Sequence, residues 1–207
     1  DPRGVPGLDA LDQIYHWTEL IQSSPLAVER SVHAAIGGAF RSQGITTLEL
    51  RFNPMKRNRG GERDLDHIIL AAIRGLDVAS LEYPQVRAGL ILMMDRTFDS
   101  RLNEIIVEKA IRWSGRGIVG VDIAGPRPGG TRFDYTQLAP MVETAREAGL
   151  GVTIHVGEEG GDMGREEVAE VVESLRPDRI GHGILAACDP ELLRSLRELL
   201  RFDHACA

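Results

Sequence analysis

Gly151-Val-Thr-Ile-His-Val-Gly-Glu158 and, further along, Arg179-Ile-Gly-His-Gly183 decide how this chain is read. Each carries a short run of strand length up to an imidazole: His155 is followed by Val156, Gly157 and the carboxylate Glu158, and His182 stands between Gly181 and Gly183. Working outward, similar runs stand at Thr47 to Phe52, Val86 to Met94 and Gly117 to Ile123, before the runs Gly151 to Ile154 and Arg179 to Gly181. All are bounded by Gly, Pro or charge and rich in Val, Ile or Leu, the composition expected of parallel strands buried on both faces.

Amphipathic stretches separate the runs. Leu65, Ile68, Ile69, Ala72, Ile73 and Leu76 recur at helical steps, and Leu102, Ile105, Ile106, Lys109 and Ala110 do so less cleanly. A helix is predicted over Asp134 to Ala148, closing on Gly149, with Leu138, Met141, Val142 and Ala145 inward. Another is predicted over Glu166 to Leu175, stopped by Pro177, and a last over Glu191 to Leu200 with Pro190 in its first turn. Ahead of the first strand, Leu8 to Ile21 and Ala27 to Phe40 read as helices parted by Ser24-Pro25. Strand alternating with helix defines parallel α/β architecture, a barrel or a doubly wound sheet, and periodicity alone leaves both open. Without a linker, repeat or low-complexity tract, residues 1–207 are read as one domain.

Composition excludes several classes. A net charge of -7 with scattered Lys and Arg argues against nucleic acid or an anionic membrane as partner. No apolar run approaches the roughly 20 residues of a membrane span, and the opening Asp1-Pro-Arg-Gly-Val-Pro-Gly7 has no signal-peptide pattern. The cysteines, Cys188 and Cys206, form no Cys-x-x-Cys pair and are too few for a secreted disulfide scaffold, so a reducing cytoplasmic setting is expected. No glycine-rich phosphate loop or dinucleotide fingerprint follows any strand, which removes a nucleotide-cofactor reading.

Reactive groups in parallel sheets gather where strands end. The strand ends carry Glu49-Leu-Arg-Phe-Asn53, Met94-Asp-Arg96, Asp122-Ile-Ala-Gly125, His155-Val-Gly-Glu-Glu159 and Gly181-His-Gly183. His155 and Glu158, spaced across Gly157, can aim at one spot: imidazole is a zinc ligand, and a carboxylate outside the metal shell can move protons to and from water. His182, at the next strand's end, is expected beside them. Blander readings stand alongside: a hydrogen-bonded structural histidine, a solvated Glu158-Glu159 pair at a helix start, and a plain tight turn at Gly181-His-Gly183. His16, His33 and His67 fall in helical stretches, Arg57 to Arg63 reads as a solvated loop, and Asp203-His-Ala-Cys206 reads as a frayed tail.

At these residues the chain resembles the adenosine and AMP deaminase superfamily of metal-dependent aminohydrolases. Leu48-Glu-Leu-Arg-Phe-Asn-Pro54, Val119-Gly-Val-Asp-Ile-Ala-Gly125, Thr153-Ile-His-Val-Gly-Glu158 and Arg179-Ile-Gly-His-Gly-Ile184 match in the family's order, and Ser23-Ser-Pro-Leu-Ala-Val-Glu29 extends the likeness over nearly the whole chain. The resemblance implies a (β/α)8 TIM barrel that hydrolyses adenosine to inosine and ammonia. It implies a Zn2+ ion held by two histidines of the first strand, one of the fifth and an aspartate of the eighth. His155 matches the fifth-strand metal ligand, Glu158 the proton shuttle, His182 the residue that orients the attacking hydroxide, and Gly125 a backbone contact to the purine.

The departures are specific. There is no His-x-His, no Cys-Pro-x-Ser-Asn strand and no closing Asp-Asp pair, and Pro126 and Arg127 stand where acidic residues commonly follow the matched glycine. The expectation is therefore an incomplete barrel with strands 2 to 6 present and strands 1, 7 and 8 missing, Leu199 to Ala207 standing where the seventh would begin. Open edges of that kind invite self-association, and with one of the family's metal ligands the isolated chain is expected to be inactive, its complete parent a deaminase. Related readings are a deaminase of adenine or of a modified adenosine such as aminodeoxyfutalosine, and a non-catalytic barrel protein of the same family.

Overall fold

A computed structural model describes residues 8–58, 64–126, 132–158 and 161–201. The opening heptapeptide, residues 59–63 of the charged loop, Arg127, Glu159 and the Asp203-to-Cys206 tail lie outside the described residues. The chain divides into two compact units, residues 1–90 and 91–207.

The first unit contains α1 (Leu8–Ile21), α2 (Pro25–Gln43), β1 (Thr47–Phe52), α3 (Leu65–Glu82) and the start of β2 (Arg87–Asp95). Ser24 caps α2, its hydroxyl accepting from the Ala27 amide at 3.3 Å, with Pro25 in the first turn. Gly44 closes the helix at φ 67°, a left-handed conformation that a residue with Cβ adopts at a cost. Helix α3 buries Leu65, Ile68, Ile69, Ala72, Ile73 and Leu76, the face its periodicity predicts. It meets α2 at Gly75, where an added Cβ would run into the Glu29 carbonyl oxygen and lie 2.9 Å from Val32 Cβ.

Gly75→Ala therefore lowers stability by about 1–3 kcal/mol through overpacking, read as a lower denaturation midpoint. The sign is diagnostic, because glycine to alanine in an unobstructed helix interior stabilises by roughly 0.5–1 kcal/mol.

The second unit continues β2 and adds α4 (Ser100–Arg112), β3 (Ile118–Ala124), α5 (Ala139–Glu147), β4 (Gly151–Val156), α6 (Gly161–Ser174), β5 (Arg179–His182) and α7 (Pro190–Arg201). β3 pairs with β4 and β4 with β5, both in parallel. The strands follow one another in the sheet in chain order, β1-β2-β3-β4-β5. A doubly wound sheet reverses its order at a switch point and a barrel does not, so the alternative that periodicity leaves open resolves to the barrel type.

Several sequence expectations need correcting. Burial on both faces holds for β2 and β3, whereas β1 exposes Thr47, Glu49 and Arg51, β4 alternates and β5 is not fully buried. β1 and β5 stand at the ends of the strand order, each with one neighbouring strand among the described residues. The predicted helix from Asp134 divides into a 3-10 turn, Tyr135–Leu138, and α5, in which Pro140 occupies the first turn. Helix α6 begins at Gly161, ahead of the predicted Glu166, because its glycine-rich opening hides helical character. On α4 the buried face is Asn103, Ile106, Val107 and Ala110, not one through Leu102 and Lys109. Asn103 is inside because it mimics a strand: its Oδ1 accepts from the Asp95 amide at 2.9 Å and its Nδ2 donates to the Asp95 carbonyl at 3.0 Å.

Asp189 caps α7, its Oδ1 accepting from the amides of Glu191 at 3.0 Å and Leu192 at 3.1 Å. That helix runs to Arg201, so the described part of the stretch expected to open a seventh strand is helical. No helix among the described residues is long and apolar enough to cross a membrane.

Candidate active site

The register of β4 and β5 sets His155 opposite Gly181 and Val156 opposite His182. Gly181 is what lets the His155 ring lie across the neighbouring strand, since a Cβ there would stand 2.7 Å from the ring atoms. The ring centroids of His155 and His182 are 5.4 Å apart with planes at 78°, an edge-to-face arrangement. His182 takes φ 64°, a strained left-handed conformation for a residue with a side chain, and Gly183 follows at φ 63°. At the end of β4, Gly157 turns the chain at φ 74° and delivers Glu158 alongside.

Glu158 is the junction of the site. Its Oε2 lies 2.8 Å from His182 Nε2, and its Oε1 lies 3.4 Å from Arg96 Nη2. Arg96, only 4% exposed, also donates from Nη1 to the Tyr135 hydroxyl at 3.0 Å, and that hydroxyl donates to the His155 carbonyl oxygen at 3.1 Å. Tyr135 is itself clamped: its amide donates to Glu170 Oε1 at 3.2 Å, the Phe133 amide donates to the buried Glu167 at 3.0 Å, and Arg132 pairs with Glu166 and Glu170.

On the other side of His155, Nδ1 lies 3.0 Å from Oδ1 of Asp122, which is wholly buried on β3. An ionised carboxylate can only accept, and facing one places the ring proton on Nδ1 and leaves the lone pair on Nε2. A carboxylate behind a histidine in this way is the usual support of a metal-binding imidazole. Among the described residues no group of three or more His, Cys, Asp or Glu is placed to hold a metal ion. His155 thus fits one corner of a zinc site, whereas zinc centres use at least three protein ligands; the described residues do not complete one.

Gly125 takes φ 96° at the end of β3, and a Cβ there would stand 2.7 Å from the Asp95 carboxylate. Asp95 is fully buried and accepts from the Thr97 amide at 2.8 Å and its hydroxyl at 2.5 Å, so Gly125 permits a close approach of two strand ends. The structure thereby gathers His155, Glu158 and His182, as expected. It adds Asp122, Arg96 and Tyr135: the first two stood among the strand-end residues without a role, and Tyr135 gave no signal beyond a place in a predicted helix. His33, in the first unit, pairs with Glu82 at 2.6 Å.

A strand-helix succession in barrel order, with imidazoles and a carboxylate gathered at adjacent strand ends, defines an incomplete (β/α)-barrel protein with a candidate site at those ends. Residues 5–202 match the adenosine deaminase family, and the chain belongs to it. It is 31% identical over 199 residues to the adenosine deaminase of Klebsiella pneumoniae subsp. pneumoniae, covering 96% of this chain and 56% of that protein. It is 38% identical over 128 residues to the adenine deaminase of Rhizobium rhizogenes, covering 62% of this chain and 38% of that one. Among solved structures, the Arabidopsis N6-mAMP deaminase aligns with a TM-score of 0.75 at 20% identity, covering 91% of this chain and 55% of its own. A cog1816 amidohydrolase from Burkholderia ambifaria, with bound Zn, aligns at 0.70 and 23% identity, covering 85% and 46%. These likenesses establish the fold as that of an incomplete α/β barrel. The chain spans about half the length of the curated relatives it matches.

Proposed function

We propose that the full-length protein hydrolyses the exocyclic amine of adenosine, consuming water and releasing inosine and ammonia, with zinc as cofactor and His155 as one ligand. The observation that carries this reading is Glu158, whose carboxylate is 2.8 Å from His182 at the end of the strand beside His155. Zinc, when bound, would supply the Lewis acidity that lowers the pKa of water to about 7.

The remaining work falls to side chains. His182 orients the attacking water. Glu158 takes a proton from that water, gives it to the purine ring nitrogen next to the attacked carbon, and relays a proton to the departing ammonia. Gly125 offers its backbone to the purine. The tautomer of His155 is held by Asp122, whose buried carboxylate would be costly to leave without this partner. Together residues 1–207 serve as one partial barrel domain, and the paucity of cysteine supports a cytoplasmic setting.

A second reading, adenine as substrate, is favoured by the 38% identity to an adenine deaminase over 128 residues, beside 31% over 199 residues to an adenosine deaminase. Ammonia release by the full-length protein from adenosine, adenine and N6-methyl-AMP, with and without a chelator, separates these. The expected result is chelator-sensitive turnover, fastest with adenosine. Preference for adenine would install the second reading, and no turnover of any purine would reject both.

A further inference from the structure

We propose that Arg96 is a positioning residue that sets the orientation of the Glu158 carboxylate; the kinetic part of this claim rests on the deaminase reading above. Glu158 is held at both oxygens, Oε1 by the Arg96 guanidinium at 3.4 Å and Oε2 by His182 at 2.8 Å. Two different partners on two oxygens fix the plane of the carboxylate as well as its place. A proton relay needs that plane, because transfer to a ring nitrogen requires one particular oxygen within hydrogen-bond reach.

The guanidinium is built in. Its own residue is 4% exposed, its backbone amide donates to the Ala124 carbonyl at 3.0 Å, and its Nη1 donates to Tyr135 at 3.0 Å. Tyr135 in turn donates to the carbonyl of His155, so one rigid fork ties the proton-moving carboxylate to the strand bearing the metal-ligand candidate. The planar guanidinium reaches Tyr135 and Glu158 at once through different nitrogens, whereas a lysine ammonium is a single point charge on a flexible stem.

The test uses the full-length protein in two arms. In crystal structures, Arg96→Met is expected to turn Glu158 away from His182; a carboxylate still within hydrogen-bond distance of His182, placed as in the native protein, overturns the proposal. This arm stands even if no purine is deaminated, so its outcome is separable from that of the functional reading. In kinetics, Arg96→Met is expected to lower kcat about 100-fold with KM nearly unchanged, and to cost almost nothing further in a Glu158→Gln background. An equal loss in both backgrounds, or a raised KM at unchanged kcat, overturns it. Should Arg96→Met not fold, Arg96→Lys carries the same two readouts, with roughly a 10-fold loss expected and an unchanged kcat counting against the proposal.

Discussion

Glu158→Gln in the full-length protein is expected to leave bound zinc unchanged and to lower kcat for adenosine by about 10³-fold, within the 10²–10⁴ range of general acid-base catalysis. Glutamine keeps the shape of the side chain and both of its contacts. The amide oxygen can still accept from Arg96, and the amide nitrogen can still face His182, so the residues now 3.4 and 2.8 Å away keep partners. What the amide cannot do is take up and return a proton. Stability is expected to fall by no more than about 1–2 kcal/mol, since Glu158 is partly open to solvent and its pairing with Arg96 is discounted accordingly. Metal content and steady-state kinetics, measured on the same preparation, check both halves of this expectation. Zinc lost along with activity would make Glu158 a ligand and not a relay; wild-type turnover would remove it from the chemistry.

Why this carboxylate is legible in the sequence, and the role of Arg96 is not, is a matter of how far each signal reaches. Strands, most helices and the cluster of His155, Glu158 and His182 depend on short-range patterns: apolar runs, helical spacing, and glycines beside an imidazole. Helix α3 follows its pattern closely because its buried positions, Asp66 in the first turn apart, are apolar or glycine. Helix α4 departs because Asn103 occupies an inward position for the sake of two hydrogen bonds to the backbone of Asp95, and a hydrophobic pattern cannot register a polar residue buried for its geometry. Arg96 and Tyr135 acquire their roles only through each other, across 39 positions of chain. Asp122 lies 33 positions from the histidine it supports, and its neighbour in register is Thr153, not His155. The contact spans two residues along β4 because side chains at i and i+2 share one face of a strand. The barrel order likewise depends on long-range pairing, which is why strand and helix periodicity alone could not separate it from a doubly wound sheet.

That contact leads to the second large effect. Asp122→Asn is expected to weaken zinc binding by the full-length protein about 10–100-fold, the usual consequence of altering the group behind a metal-binding histidine. Asparagine preserves volume in a site with 0% exposure, so the change is electronic and orientational more than steric. The carboxylate can only accept, which obliges His155 Nδ1, 3.0 Å away, to hold the proton and places the lone pair on Nε2. An amide removes that obligation. It can present either oxygen or nitrogen to Nδ1, and with nitrogen presented the ring's other tautomer is favoured, with its proton on the ligating nitrogen. The lost negative charge also makes the imidazole a poorer donor to a cation. Competition with a chromogenic chelator reads the affinity directly, and His155→Ala provides the scale, with a loss at least as large expected because the ligand itself is gone. Unchanged affinity in Asp122→Asn beside a clear loss in His155→Ala would mean that the buried carboxylate serves the fold alone, and that the orientation of His155 is set by Gly181 and the Tyr135 hydroxyl.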